Sequence, residues 1–187
     1  MSLKTKSFLA LLATLSFATA GSAQNSRFHS GTAIPEFGKI ADVVTDTPIP
    51  AGTVFKIAFD NNARADRGKF NRTLDAAVRF INMHAAAGVP MKDIHLAVVV
   101  HGPPMFDLTN AAAYARGASE ADRAIANANA PLIATLIAHG VEIYACGQSA
   151  ASLGVEKSDL LPGVKMSLSA MTAHAMLQQR GYTLNPF

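Results

Sequence analysis

The chain has 187 residues, half of them apolar, with 16 basic and 13 acidic residues and a formal charge of +3. This is the length of one domain, with enough apolar content to bury a core without disulfide staples. Neither sign of charge forms a block, which argues against nucleic acid or an acidic membrane as a partner.

The first residues read as a leader. Lys4 and Lys6 precede an apolar run from Phe8 to Ala18, which is shorter than the roughly 20 residues of a bilayer span. Ala18-Thr19-Ala20 and Gly21-Ser22-Ala23 are small-residue cleavage patterns. The layout is that of a secretory signal peptide over residues 1–23, cut after Ala23. A periplasmic or secreted protein is expected, with no stable membrane insertion once the leader is removed; an uncleaved anchor is the rival reading and lacks length. Cleavage removes Lys4 and Lys6, so 14 basic residues then face 13 acidic ones.

Residues 24–52 show little periodicity, and Ile34-Pro35, Thr47-Pro48 and Ile49-Pro50 favour extended or turn backbone. They read as an N-terminal arm packed on the surface of a domain at 53–187, with a short strand possible at 39–44. Thr53 to Phe59 is rich in β-formers and reads as the first core strand, ended by Asp60-Asn61-Asn62. Leu74, Ala77, Val78, Ile81 and Ala85 have helical spacing within 70–87, and Gly88 and Pro90 stop that helix. Ile94 to Val100 is a near-continuous apolar run, as in strands buried on both faces. It ends at His101-Gly102-Pro103-Pro104, which is turn chemistry.

Residues 108–116 read as a short helix, 120–126 as a helical turn, and 131–139 as a helix opened by Pro131 and closed by Gly140. Val141 to Ala145 is the third strand, with Cys146 at its carboxyl end. Residues 148–154 are a loop or short helix, 158–161 a helical turn, and 164–168 a fourth strand. Ser169 is placed to cap a helix running to Arg180, and Tyr182 to Leu184 is the last strand. Alternating strands and helices predict an α/β fold with a mostly parallel sheet and helices on both faces. In such sheets the site lies beyond the carboxyl ends of the strands, where Asp60, His101 and Cys146 fall.

Cys146 is the only cysteine of the chain. It therefore has no internal disulfide partner and no resolving thiol, which disfavours a dithiol oxidoreductase. Its thiolate, favoured by a nearby helix N-terminus or cation, is suited to attack a disulfide or sulfane sulfur and to store a persulfide. Gly147 permits close backbone approach, and the Gln148 amide or the backbone N–H groups after Cys146 are candidate donors to sulfur. His101 is a candidate base for the thiol, with Gly102 at its turn and Asp60 as a further candidate. The plainer readings are a buried cysteine acting as a small hydrophobe and a histidine that caps a turn. His95 reads as a core or edge residue. His84, His139 and His174 lie on helices without metal-site spacing, so neither a metal nor a cofactor is expected. Met166, Met171 and Met176 read as core filler. A Walker loop, a dinucleotide fingerprint and a nucleophile elbow are all missing from the sequence.

Several segments resemble the DsrE/DsrF-like family of sulfur-transfer proteins. They are Val98 to Gly102, Val141 to Ser149, Asp159 to Lys165, Leu168 to Thr172 and Leu177 to Tyr182, and with the first strand and helix they cover roughly residues 53–187. The Cys146 block followed by Leu160-Leu161-Pro162-Gly163-Val164 is the most specific part. The resemblance implies a single-domain flavodoxin-like three-layer sandwich of about five strands. It also implies homo-oligomers, often trimers or hexamers, and a persulfide on a cysteine matching Cys146. The chain resembles most an exported branch with the Cys-Gly-Gln form, whereas the best-understood carriers of the family work in the cytoplasm. The expected function is thus an exported persulfide carrier or sulfurtransferase acting through Cys146, with a donor or acceptor protein as partner. Two alternatives remain at this level: an oligomeric binding protein with a structural Cys146, and a redox-sensing thiol.

Overall fold

The computed structural model describes residues 27–186. The expected leader and its cleavage after Ala23 lie outside the described residues, and within them no helix is long and apolar enough to cross a membrane. The arm contains two short strands, β1 (Phe28–His29) and β2 (Ile40–Ala41), paired antiparallel. The core begins with β3 (Phe55–Asn61), followed by α1 (Arg72–Ala86) and β4 (Ile94–Val100). A 3-10 segment (Pro103–Leu108) leads to α2 (Ala111–Arg116) and α3 (Asn129–Ala138). Then come β5 (Glu142–Cys146), α4 (Gly147–Leu153), β6 (Lys165–Ser167), α5 (Ala170–Gln179) and β7 (Thr183–Asn185).

The helices form where capping and periodicity agree. Asn71 caps α1 by accepting from Thr73 N, and Leu74, Ala77, Val78 and Ile81 form its buried stripe. Ser169 caps α5 by accepting from Thr172 N. Several boundaries differ from expectation, among them the start of α3, which opens at Asn129 rather than at Pro131. Asp60 and Asn61 do not end β3 but continue it, because β4 pairs them with Val99 and Val100. Leu108 belongs to the 3-10 segment, because Asn110 is the residue that caps α2 through Ala113 N.

The five strands of the core sheet lie in the order β6-β5-β4-β3-β7, and every pair is parallel. From β3 to β6 the chain steps across the sheet in one direction, so right-handed crossovers put α1, α3 and α4 on one face. The return from β6 to β7 places α5 on the other. Residues alternate between the two faces, as strands require. Phe59, Val98, Val100, Ile143 and Ala145 join the larger core under α1 and α3. Ala58, Ala97, Val99 and Cys146 join a smaller core under α5 with Ala173, Leu177 and Tyr182. The result is a three-layer α/β sandwich with a flavodoxin-like arrangement.

The arm is built into this architecture. Ile34 is 1% exposed and part of the larger core. It is fixed by the buried Asn82 of α1, whose Oδ1 accepts from Ile34 N (2.9 Å). Asn82 Nδ2 lies within 2.9–3.1 Å of the Ile34, Phe37 and Gly38 carbonyls.

At the opposite edge of the sheet from the carboxyl ends, Glu142 gathers four partners. Its carboxylate accepts from Arg180, Lys165, Tyr144 and Tyr182. The Arg180 hydrogen bonds are the main reason its pKa falls to about 2, with Lys165 and Tyr144 also lowering it against the effect of burial. Because the folded pKa is depressed, the stabilisation is complete above the ordinary glutamate range and is lost as pH falls toward 2. Arg180 and Lys165 are about half exposed, so screening holds the contribution to roughly 1–2 kcal/mol. Urea midpoints at pH 6 and pH 3 should therefore fall less for Glu142→Gln than for the wild type.

Candidate functional site

Parallel pairing sends the ends of β3, β4 and β5 to one edge, and register decides which side chains meet there. Val100 pairs with Ala145, and His101 N continues the ladder to Asn61 O at 3.0 Å. His101 therefore stands beside Cys146, on a strand spacing of about 4.8 Å. Asp60 shares the side of Ala58, and Cys146 the side of Val99. By alternation, Asp60, His101 and Cys146 all face α5. That helix begins at the same edge, because a helix following a parallel strand starts beyond its carboxyl end.

Cys146 is 5% exposed and ends β5, directly ahead of α4. Burial pushes its thiol up. The Ser149 hydroxyl and the backbone N–H groups of Ser149, Ala170 and Gln148 hydrogen-bond to the sulfur and outweigh burial, so the pKa lies below the ordinary thiol value. Those donors come from two helix starts, α4 and α5, that converge on one atom. The Gln148 side chain does not point its amide at the sulfur; it donates to Leu168 O at 3.4 Å. Ser149 Oγ also accepts from Gly102 N (2.9 Å), which ties the β4 turn to the thiol. Gly102 has φ 67° and ψ −144°, a conformation essentially restricted to glycine.

Gly147 has the close approach expected of it. A Cβ there would lie 2.6 Å from Ser167 O and 3.1 Å from Leu168 O. Gly147→Ala should force α4 away from the β6–α5 turn, with a stability loss of roughly 1–3 kcal/mol. Because that turn carries the Ala170 amide, the midpoint of Cys146 alkylation against pH should rise in the same variant.

His101 binds elsewhere than the thiol. Its Nε2 donates to Asp60 Oδ2 at 3.2 Å, while Asp60 Oδ1 accepts from His174 Nε2 at 2.8 Å. Burial raises the Asp60 pKa. Hydrogen bonds from His174 and His101, and their charge, more than offset this and hold the carboxyl below its usual range. An ionised carboxylate only accepts, so both Nε2 atoms carry the hydrogen. His174 is the residue that sequence reasoning missed. The signal was available: a helix after a parallel strand starts at the site edge, so a histidine in its second turn can reach back to it. His84 in the last turn of α1 and His139 at the end of α3 point to the far edge instead.

A hollow of about 290 Å³ lined by Gly102, Pro103, Gln148, Ser149, Ser152 and Leu153 opens beside the thiol cradle. A second, of about 470 Å³, lies on the far side of Asp60, with Arg64, Arg72, Phe70 and Thr73 in its wall. Among the described residues no group of three or more His, Cys, Asp or Glu side chains is placed to hold a metal ion. The chemistry this edge can support is that of a stabilised thiolate next to a carboxylate with two imidazoles.

Comparison with known proteins agrees with this architecture. The model of the DsrE/DsrF-like family matches residues 55–186. A solved structure of a protein of unknown function, MTH1491 from Methanobacterium thermoautotrophicum, superposes with a TM-score of 0.51 at 19% sequence identity. The match covers 71% of this chain and 99% of that one, and it bears on the fold alone. A search of curated proteins gave no match.

Proposed function

Given that the chain belongs to the DsrE/DsrF-like family, we propose that it is a sulfur carrier that holds a persulfide on Cys146. The observation that carries this reading is the place of the thiol: Cys146 ends β5 at the carboxyl edge of the sheet, directly ahead of α4, where the Ser149 hydroxyl and neighbouring backbone amides lower its pKa. Thiolate is the form that attacks sulfane sulfur. The hollow beside Gly102 and Ser149 gives a small donor its approach. With no second cysteine in the chain, the sulfur leaves to a thiol on another molecule, so the protein is a carrier rather than a dithiol oxidoreductase.

The proposal includes export, which rests on the leader-like composition of residues 1–23. It also includes self-association. Leu168 and Met171 are 71% and 79% exposed at the β6–α5 turn, beside the site, and a second copy of the chain covering them would shield the thiol. Sedimentation of the mature protein tests this: a monomer at every concentration removes that part.

The burial of Cys146 favours a second reading, in which the thiol is structural and the edge binds a small ligand. Intact-mass spectrometry separates the two. Mature protein treated with polysulfide should gain one sulfur atom (about 32 Da by atomic mass), reversed by a thiol reductant and absent in Cys146→Ser. A folded protein that gains nothing and also resists alkylation has an inert thiol, and the binding reading then stands.

A further inference from the structure

We propose that His101, held by Asp60 and His174, is the proton donor for the group that leaves when sulfur is loaded onto Cys146. This rests on the carrier reading above and adds to it a substrate class: alkyl hydropersulfides, whose departing thiolate is basic enough for a positioned acid to assist.

The argument starts from the three side chains themselves. Asp60 accepts from both imidazoles, one on each carboxylate oxygen. His101 is thereby fixed through Nε2, and its side chain is 32% exposed. Its Nδ1 has no protein partner among the described residues and is not a buried unsatisfied atom, so solvent or substrate reaches it. His174 differs. Its side chain is 14% exposed, and its Nδ1 is buried without a partner. It has no open path to a substrate and acts as a positioning residue: its Nε2–H holds the carboxylate that holds His101.

Position favours the same division. Ala170 and His174 are one turn apart and share a face of α5. The backbone amide of the first lies close enough to the Cys146 thiol to lower its pKa, and the imidazole of the second donates to Asp60. One rigid helix turn thus sets the thiol and the carboxylate at a fixed separation, with His101 between them on the intervening strand. The thiolate does not need His101 as a base, because the amides and the Ser149 hydroxyl already stabilise it. The demand left in the reaction is at the leaving group.

The step balances without an outside oxidant. The Cys146 thiolate attacks the outer sulfur of the hydropersulfide and forms a new S–S bond. The S–S bond of the donor breaks, and its electron pair goes to the alkyl-bearing sulfur. That sulfur takes the Nδ1 proton of His101 in its imidazolium form, in which Nε2–H stays on Asp60. The products are the Cys146 hydropersulfide, an alkyl thiol and a neutral imidazole, and the hydropersulfide returns a proton to His101 as it ionises.

The test compares two donors on the full mature protein. Cysteine hydropersulfide releases a basic thiolate whose departure a positioned acid assists, whereas thiosulfate releases sulfite, a less basic anion that leaves unaided. Loading is followed by quenched intact mass at pH 6 for the wild type, His101→Gln, Asp60→Asn and His174→Gln. With cysteine hydropersulfide, His101→Gln is expected to load about 100-fold more slowly and the other two at least about tenfold more slowly, the scale of general acid catalysis. With thiosulfate all three are expected within about twofold of the wild type, since no general acid is needed there. Equal slowing with both donors makes the cluster merely structural and overturns the proposal, as does equal loading with both. A wild type that loads from neither donor removes the carrier reading itself, and this inference with it.

Discussion

Asn82→Ala should lower the stability of the protein by about 3–4 kcal/mol. Alanine would leave Ile34 N and the Ile34, Phe37 and Gly38 carbonyls without the side chain that satisfies them. Each buried polar group left unpaired costs about 1–3 kcal/mol, and water entering the gap recovers part of that. The loss should be selective. The arm supplies Ile34 and Ile40 to the buried set, so its release would expose apolar surface on α1 as well as backbone. Asn82→Asp is the sharper variant. An aspartate keeps an acceptor for Ile34 N but turns a carboxylate toward three carbonyl oxygens, so it should be at least as damaging as alanine. Urea denaturation gives the magnitude, and hydrogen exchange at Ile34 N localises it. If both variants keep the wild-type midpoint, the arm is not held by Asn82.

The arm also shows where the sequence stopped being legible. Its prolines spoke against regular structure, and residues 34–38 do run without a strand or helix. Nothing in the local pattern could show that an asparagine forty-odd residues later would hydrogen-bond to them. Asn82 sits among the apolar positions of α1, and its role arises from packing two segments distant in sequence. The core strands and helices were legible for the opposite reason. Their signals are local: the apolar run at 94–100, the stripe Leu74-Ala77-Val78-Ile81, and the Ser169 cap. The edge of the sheet holding Asp60, His101 and Cys146 followed from topology alone once the strands were taken as parallel. What topology could not supply was pairing. It put His101 on the same edge as Cys146 without making their strands neighbours, and gave no sign that its ring would turn to Asp60, nor that His174 would complete the pair.

The same distinction applies to the thiol. Cys146, Gly147 and Gln148 stood out in the sequence, yet the strongest side-chain influence on the sulfur comes from Ser149, which attracted no attention because serines after a strand are common. Its hydroxyl is first among the groups that lower the Cys146 pKa. It also accepts from Gly102 N, so one atom joins the thiol to the turn that carries His101.

Ser149→Ala should therefore move the Cys146 thiol upward and slow every reaction that depends on its thiolate. A hydrogen bond to a charged group is worth about 1.5–3 kcal/mol, or roughly one to two units in pKa. The sign follows from which form the hydroxyl stabilises. It donates to the thiolate, so its loss favours the protonated thiol and leaves less thiolate at neutral pH. Alkylation of the folded protein at pH 7 is expected to slow at least about tenfold, and the midpoint of its pH profile to rise. Ser149→Thr, which keeps the hydroxyl, should stay near the wild type. The backbone amides of Gln148, Ser149 and Ala170 remain in the alanine variant, so the thiol should not return all the way to the value that burial alone would give. The persulfide-loading rate should fall in parallel with the alkylation rate, because both begin with attack by the same sulfur. A profile whose midpoint does not move in the alanine variant would show that the amides alone hold the thiolate, and that Ser149 serves the Gly102 turn instead.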